Sequence, residues 1–304
     1  MAVKTVQAVI NGVTTTLTYN STSKKYEATI TAPATSSYNN NDGHYFPVTI
    51  KATDEAGNVT TKNDTDATLG SSLQLHVKEK TAPAITITYP TASALIINNK
   101  PAIRWKVTDN DSGVNPDTIG ITIDSGSKVT GSAITKTAIT GGYDCTYTPT
   151  TALADGSHTI KIDAADNDGN AATQKSVTFK IDTVPPTLSV TAPVNGLITN
   201  KAACTVTGTT NDITSSPVTV TVKLNSGSAE AVTVGADGFF SKALTLVSGG
   251  NTITVVATDS AGKSTTVTRT VTLDTVAPTI KAVTLTPNPV DAGKTYVISV
   301  EVTD

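Results

Sequence analysis

Few residues in this chain can do covalent chemistry or fill a large core. The 304 residues include one Trp, one Met, two Cys and three His, and aromatics make up 4%. Charged residues are 15%, well under the roughly 25% usual in soluble domains. The formal net charge is −3, which argues against nucleic acid as a partner, because that role needs a basic patch. No run of about 18 apolar residues occurs, so no membrane insertion is expected. Cys145 and Cys204 fall in different predicted domains, so no disulfide between them is expected, and both read as small buried hydrophobes. Neither lies at metal-ligand spacing to His44, His76 or His158, which excludes a Cys/His zinc site. No basic segment followed by a 7–15-residue apolar stretch opens the chain, so no signal peptide is expected in it. Nucleophile-elbow, zinc-protease and phosphate-loop motifs are all missing, and with them any expected catalytic residue.

What the chain has instead is threonine, 60 residues of it. Thr suits the wet face of a sheet. It also has internal repeats. Val48–Asn58, Thr159–Asn170 and Asn251–Lys263 each run as an alternating apolar stretch and then Ala-x-Asp-x-x-Gly. The equivalent aspartates are Asp54, Asp166 and Asp259. Side chains alternate faces along a strand, so Val48, Ile50 and Ala52 share a face. Ile160, Ile162 and Ala164 do the same, as do Ile253, Val255 and Ala257. The Asp-x-x-Gly that follows suits a type I turn whose Gly takes positive φ. Each repeat then closes on a stiff proline phrase, at Glu79–Pro83, Asp182–Pro186 and Asp274–Pro278.

These phrases predict boundaries near residues 80, 183 and 275. The units are 1–80, 81–183 and 184–275, followed by 276–304 as a β-hairpin or the start of a fourth domain. Further strands are predicted at 26–30, 102–107, 118–123, 218–222 and 239–246, and no helix. Trp105 has apolar neighbours at 103 and 107, which places it in a core rather than on a sugar-stacking face.

The three hairpins and the Asp-Thr-Val linkers resemble those of tandem bacterial immunoglobulin-like domains, with residues 203–273 the nearest in phrasing. The first unit departs, since it lacks the Asp-Thr-Val linker and carries the polar stretch Ser36–Gly43. The resemblance implies an all-β fold of tandem immunoglobulin-like β-sandwiches in an elongated array, on the order of 100 Å if each unit is about 40 Å long. Such domains occur in surface adhesins, in spacers of polysaccharide-degrading enzymes and on tailed-phage virions. The phrase Val283–Thr303 also resembles the ends of prophage tail-region proteins. Together these imply a non-catalytic structural or adhesive protein on a phage virion, with its tail the expected place. The alternative is part of a secreted adhesin or extracellular spacer. Expected partners are a cell-surface glycan or other virion proteins, with self-assembly through residues 276–304.

Calcium is the one candidate cofactor. Ca²⁺ takes six to eight oxygen ligands, and two loops of the second unit are rich in them. The expected ligands are Asp109, Asp111, Asp166 and Asp168, with the linker acids Asp182 and Asp274 placed where a metal could stiffen a joint. The corresponding turns at Asp54 and Asp259 hold fewer acids, so the second unit is the expected location.

Overall fold

Period-two alternation decides the local structure almost everywhere. The computed structural model describes residues 2–304, and its helical content among these residues is two short 3-10 turns. No helix among them is long and apolar enough to cross a membrane. The chain divides into two compact units, Met1–Ile181 and Asp182–Asp304.

The first unit opens with β1 (Val3–Ile10), β2 (Val13–Asn20), β3 (Lys25–Glu27), β4 (Phe46–Asp54), β5 (Val59–Lys62) and β6 (Gln74–Leu75). All six join one sheet, in the order β3-β2-β1-β4-β5 with β6 on β4. A second covering sheet, as in a sandwich, is not formed here. Few apolar side chains are buried in this segment, namely Val6, Ala8, Phe46 and Leu73, while Val13, Ile30, Val59 and Leu69 stay exposed. Residues 36–45 are instead a loop held by its own polar groups. Ser37 Oγ donates to the His44 carbonyl at 2.7 Å and Asn40 Nδ2 to the Tyr45 carbonyl at 2.7 Å.

A sandwich follows in the same unit, built from β7 (Ala84–Tyr89), β8 (Leu95–Ile96), β9 (Ile103–Thr108), β10 (Val114–Ile123), β11 (Thr135–Ile139), β12 (Gly142–Tyr147), β13 (Gly156–Asp166) and β14 (Lys175–Ile181). Its sheets run β10-β13-β14-β8 and β11-β12-β9-β7. The inward faces meet around Trp105, Phe179, Ile103, Ile121 and Ile162, all fully buried. Trp105 is therefore a core residue and offers no face to a sugar. Cys145 lies opposite it on β12, and burial pushes that thiol up to about 11, so it is inert as a nucleophile.

The second unit holds another sandwich, of β15 (Thr187–Ala192), β16 (Leu197–Thr199), β17 (Ala203–Asn211), β18 (Thr219–Leu224), β19 (Glu230–Val232), β20 (Phe239–Thr245), β21 (Gly249–Thr258) and β22 (Ser264–Leu273). Its sheets run β15-β17-β20 and β16-β22-β21-β18-β19, closing on Val206, Phe240, Ile253 and Val255. The chain then forms the antiparallel pair β23 (Thr279–Thr286) and β24 (Val297–Thr303). Every residue of this hairpin is exposed, including Val283, Leu285, Ile298 and Val300.

The three repeated turns have one geometry. Asp54, Asp166 and Asp259 each accept the amide of the residue four positions on, at 2.7–2.8 Å. Gly57, Gly169 and Gly262 take φ of +89°, +94° and +82°, the left-handed region where a Cβ is strained.

Candidate metal centre

The strand ends of the 84–181 sandwich gather acids contributed from distant parts of the sequence. Asp109 follows β9, Asp166 closes β13, and Glu79 stands ahead of β7. Carboxylate oxygens from these three lie within 4.8 Å of one another. Asp109 and Asp166 are buried and Glu79 is half-buried. Of the four expected ligands, the structure brings Asp109 and Asp166 together and turns the other two elsewhere. Both oxygens of Asp111 accept the Ser36 amide, at 2.9 and 3.0 Å. Asp168 Oδ2 accepts the Glu79 amide at 2.9 Å, and its carbonyl accepts Lys78 Nζ at 3.3 Å. These two acids tie the sandwich to the segment that precedes it.

Glu79 is the member that the spacing of acids within the loops does not reveal. A signal for it exists, since it stands four residues before Pro83 as Asp182 stands before Pro186 and Asp274 before Pro278. Burial raises its carboxyl above the ordinary range, the nearby charges of Asp109 and Asp111 add to the rise, and the Ser112 amide opposes it. That amide donates to Glu79 Oε1 at 2.7 Å. Asp109 Oδ1 accepts the Asp111 and Gly113 amides at 3.0 and 2.8 Å. Asp166 is fully engaged by Asn170, whose backbone amide reaches Oδ1 and whose side-chain amide reaches Oδ2, both at 2.7 Å. Protein donors thus already reach Glu79 Oε1, Asp109 Oδ1 and both oxygens of Asp166. A shallow cleft of about 500 Å³ lies over the loop, lined by Asn39, Asp109, Asn110, Asp111 and Asn167 among others.

The histidines are engaged structurally. His44 Nδ1 lies 2.5 Å from the Tyr38 carbonyl and His76 Nδ1 lies 2.9 Å from the His44 carbonyl. His158 is buried between two acceptors, with Nδ1 2.8 Å from Asp124 Oδ2 and Nε2 2.7 Å from the Ala154 carbonyl. Only the imidazolium carries an N–H for each of the two acceptors, so this arrangement favours the protonated ring. Burial lowers its pKa, but the bonds to Ala154 and Asp124 outweigh that and leave it raised.

Known families match both sandwiches. Residues 91–183 match the bacterial Ig-like domain family. The first of the two sandwiches is thus similar to bacterial Ig-like domains. Residues 186–275 match the family of glucodextranase domain B. Among solved structures, the fibronectin(III)-like modules of CbhA from Clostridium thermocellum are 19% identical, with a TM-score of 0.34, covering 63% of this chain and 94% of that one. Titin domains I67–I69 are 12% identical with a TM-score of 0.46, covering 90% and 88%. Sidekick-1 immunoglobulin domains 1–4 are 11% identical with a TM-score of 0.37, covering 90% and 68%. No curated protein matches the chain in sequence.

Proposed function

We propose that these immunoglobulin-like domains form a non-catalytic structural and adhesive component on the virion of a tailed phage, in its tail region, making weak multivalent contacts with the host cell surface. The carrying observation is how the side chains are used. The cores are small and separate, the histidines bond to acceptors that hold them, and the outer strand faces are rows of Thr such as Thr266, Thr268 and Thr270. Such a surface supplies modest hydrogen-bonding contacts. Presentation in many copies raises avidity without new contacts. The exposed apolar face of the β23–β24 hairpin is the docking element of this reading, toward other virion proteins or a second copy. The resemblance of Val283–Thr303 to tail-region proteins supports the virion placement.

The match of residues 186–275 to a domain named from an enzyme of glucan breakdown favours a second reading, an extracellular spacer or adhesin module. Gold-labelled antibody against residues 184–275 separates the two. It is applied to phage particles and to cell walls from the bacterium that carries the gene. Label on tails is the expected result. Label confined to cell walls would replace the virion reading with the second one.

A further inference from the structure

The second unit has its own triad of acids, and one of its oxygens lacks a partner. Asp182 begins the unit, Asp212 follows β17, and Asp259 follows β21. Oxygens of the three lie within 4.8 Å of one another. Asp182 is 1% exposed and Asp259 is 6% exposed. None of the ion pairs among the described residues involves these acids.

Each position corresponds to one in the first unit: a linker acid four residues before a proline, an acid after the equivalent strand, and the acid of the repeated turn. The difference lies at the residue four beyond the turn acid. Asn58 and Asn170 stand there in the other two turns, and their side-chain amides donate to the second carboxylate oxygen at 2.8 and 2.7 Å. Lys263 stands there in this turn and supplies its backbone amide to Oδ1 at 2.8 Å. Asp259 Oδ2 is consequently buried with no hydrogen-bond partner. The other acids are partly served. Asp212 Oδ1 accepts the Thr214 and Ser215 amides at 2.8 and 2.7 Å, and Asp182 accepts the Ser215 hydroxyl.

Burying an uncompensated carboxylate beside two others is costly, and a cation removes that cost. Three carboxylates with no nitrogen or sulfur ligand suit a hard ion. Calcium–oxygen distances of about 2.4 Å put oxygens on opposite sides of the ion about 4.8 Å apart, so this cluster fits within one coordination sphere. We propose that Asp182, Asp212 and Asp259 form a calcium site at this end of the second sandwich, with Asp259 Oδ2 as a direct ligand. The ion joins the entering chain, the loop after β17 and the β21–β22 turn. The latter two already meet through the Ser260 amide and the Ser215 carbonyl at 3.0 Å. On this proposal the calcium site lies within Asp182–Asp304, whose loops hold fewer acids than those at 109–111 and 166–168.

The test is calorimetric titration of the chelator-treated full chain with calcium chloride, with the melting midpoint recorded alongside. Saturable binding is expected, with Kd on the order of 0.1–1 mM or tighter and a midpoint that rises with calcium. Asp259→Asn is expected to weaken binding at least about tenfold, the loss of one charged ligand, whereas Asp166→Asn leaves this site's affinity unchanged. Lys263→Asn supplies the missing amide, so it should raise the calcium-free midpoint and shrink the calcium-induced rise. No saturable binding by the unaltered chain would overturn the proposal without reference to any variant. So would undiminished binding by a folded Asp259→Asn chain.

Discussion

Replacing Trp105 separates a core residue from a sugar platform. Its side chain is fully buried and pairs across the sheet with Cys145 and Ile87. A buried aromatic side chain hides roughly 150–250 Å², which at about 25 cal/mol per Å² corresponds to about 4–6 kcal/mol. Against this stands the indole N–H, which is buried without a partner and costs about 1–3 kcal/mol. Trp105→Ala should therefore destabilise the 84–181 sandwich by about 3 kcal/mol, inside the range of about 3–5 kcal/mol for such truncations. Trp105→Phe, which removes the orphaned donor, should cost less than about 1.5 kcal/mol.

The assay is pulse labelling of the Cys145 thiol along a urea series, on a Cys204→Ser background. Cys145 is fully buried, so its labelling reports opening of this sandwich alone and does not need the whole chain to unfold in two states. With m near 1.5 kcal/mol/M, Trp105→Ala should lower the midpoint by about 2 M urea. An unchanged midpoint, joined to a loss of glycan binding, would refute the core assignment.

Three further outcomes follow from the same geometry. Asp166→Ala removes the acceptor of two Asn170 donors and should destabilise the sandwich by about 2–4 kcal/mol, read by the same labelling, whereas the exposed turn at Asp54 should lose less on Asp54→Ala. The raised pKa of His158 contributes stability that is fully present below the unfolded value near 6.5 and is lost as pH rises through the folded value. Cys145 labelling should therefore show the sandwich weakening from pH 6 toward pH 8, and His158→Gln should flatten that slope. Ending the chain at Thr275 removes only exposed residues, so the melting midpoint of the 184–275 sandwich should stay within about 2 °C. Light scattering of the same pair should show self-association in the full chain alone.

Repetition made much of this fold legible. The alternating runs before Asp54, Asp166 and Asp259 became β4, β13 and β21, and the glycines took the positive φ that the turn requires. Alternation tells which residues share a face but not whether a second sheet will cover it. For that reason the single sheet of Val3–Leu75 was not visible in its strands. The acid sites were harder to read because each joins three segments distant in sequence. A cluster of aspartates at 109–111 and 166–168 shows where oxygens are plentiful but not where they point. Asp111 and Asp168 went to backbone amides of the preceding segment, while Glu79 came in from the linker. The decisive residue in the second unit is not an acid at all. It is Lys263, whose difference from Asn58 and Asn170 matters only once the partner of Asp259 Oδ2 is known.

The proposed attachment is multivalent, by domains that bind weakly one at a time. Its direct test compares binding of the full chain to host cell envelopes as single molecules and as a tetramer on a streptavidin core. Little retention of the single chain is expected, with a gain on the order of 10²–10⁴ in apparent affinity for the tetramer. Equal binding of the two forms, or tight saturable binding by the single chain, would contradict it.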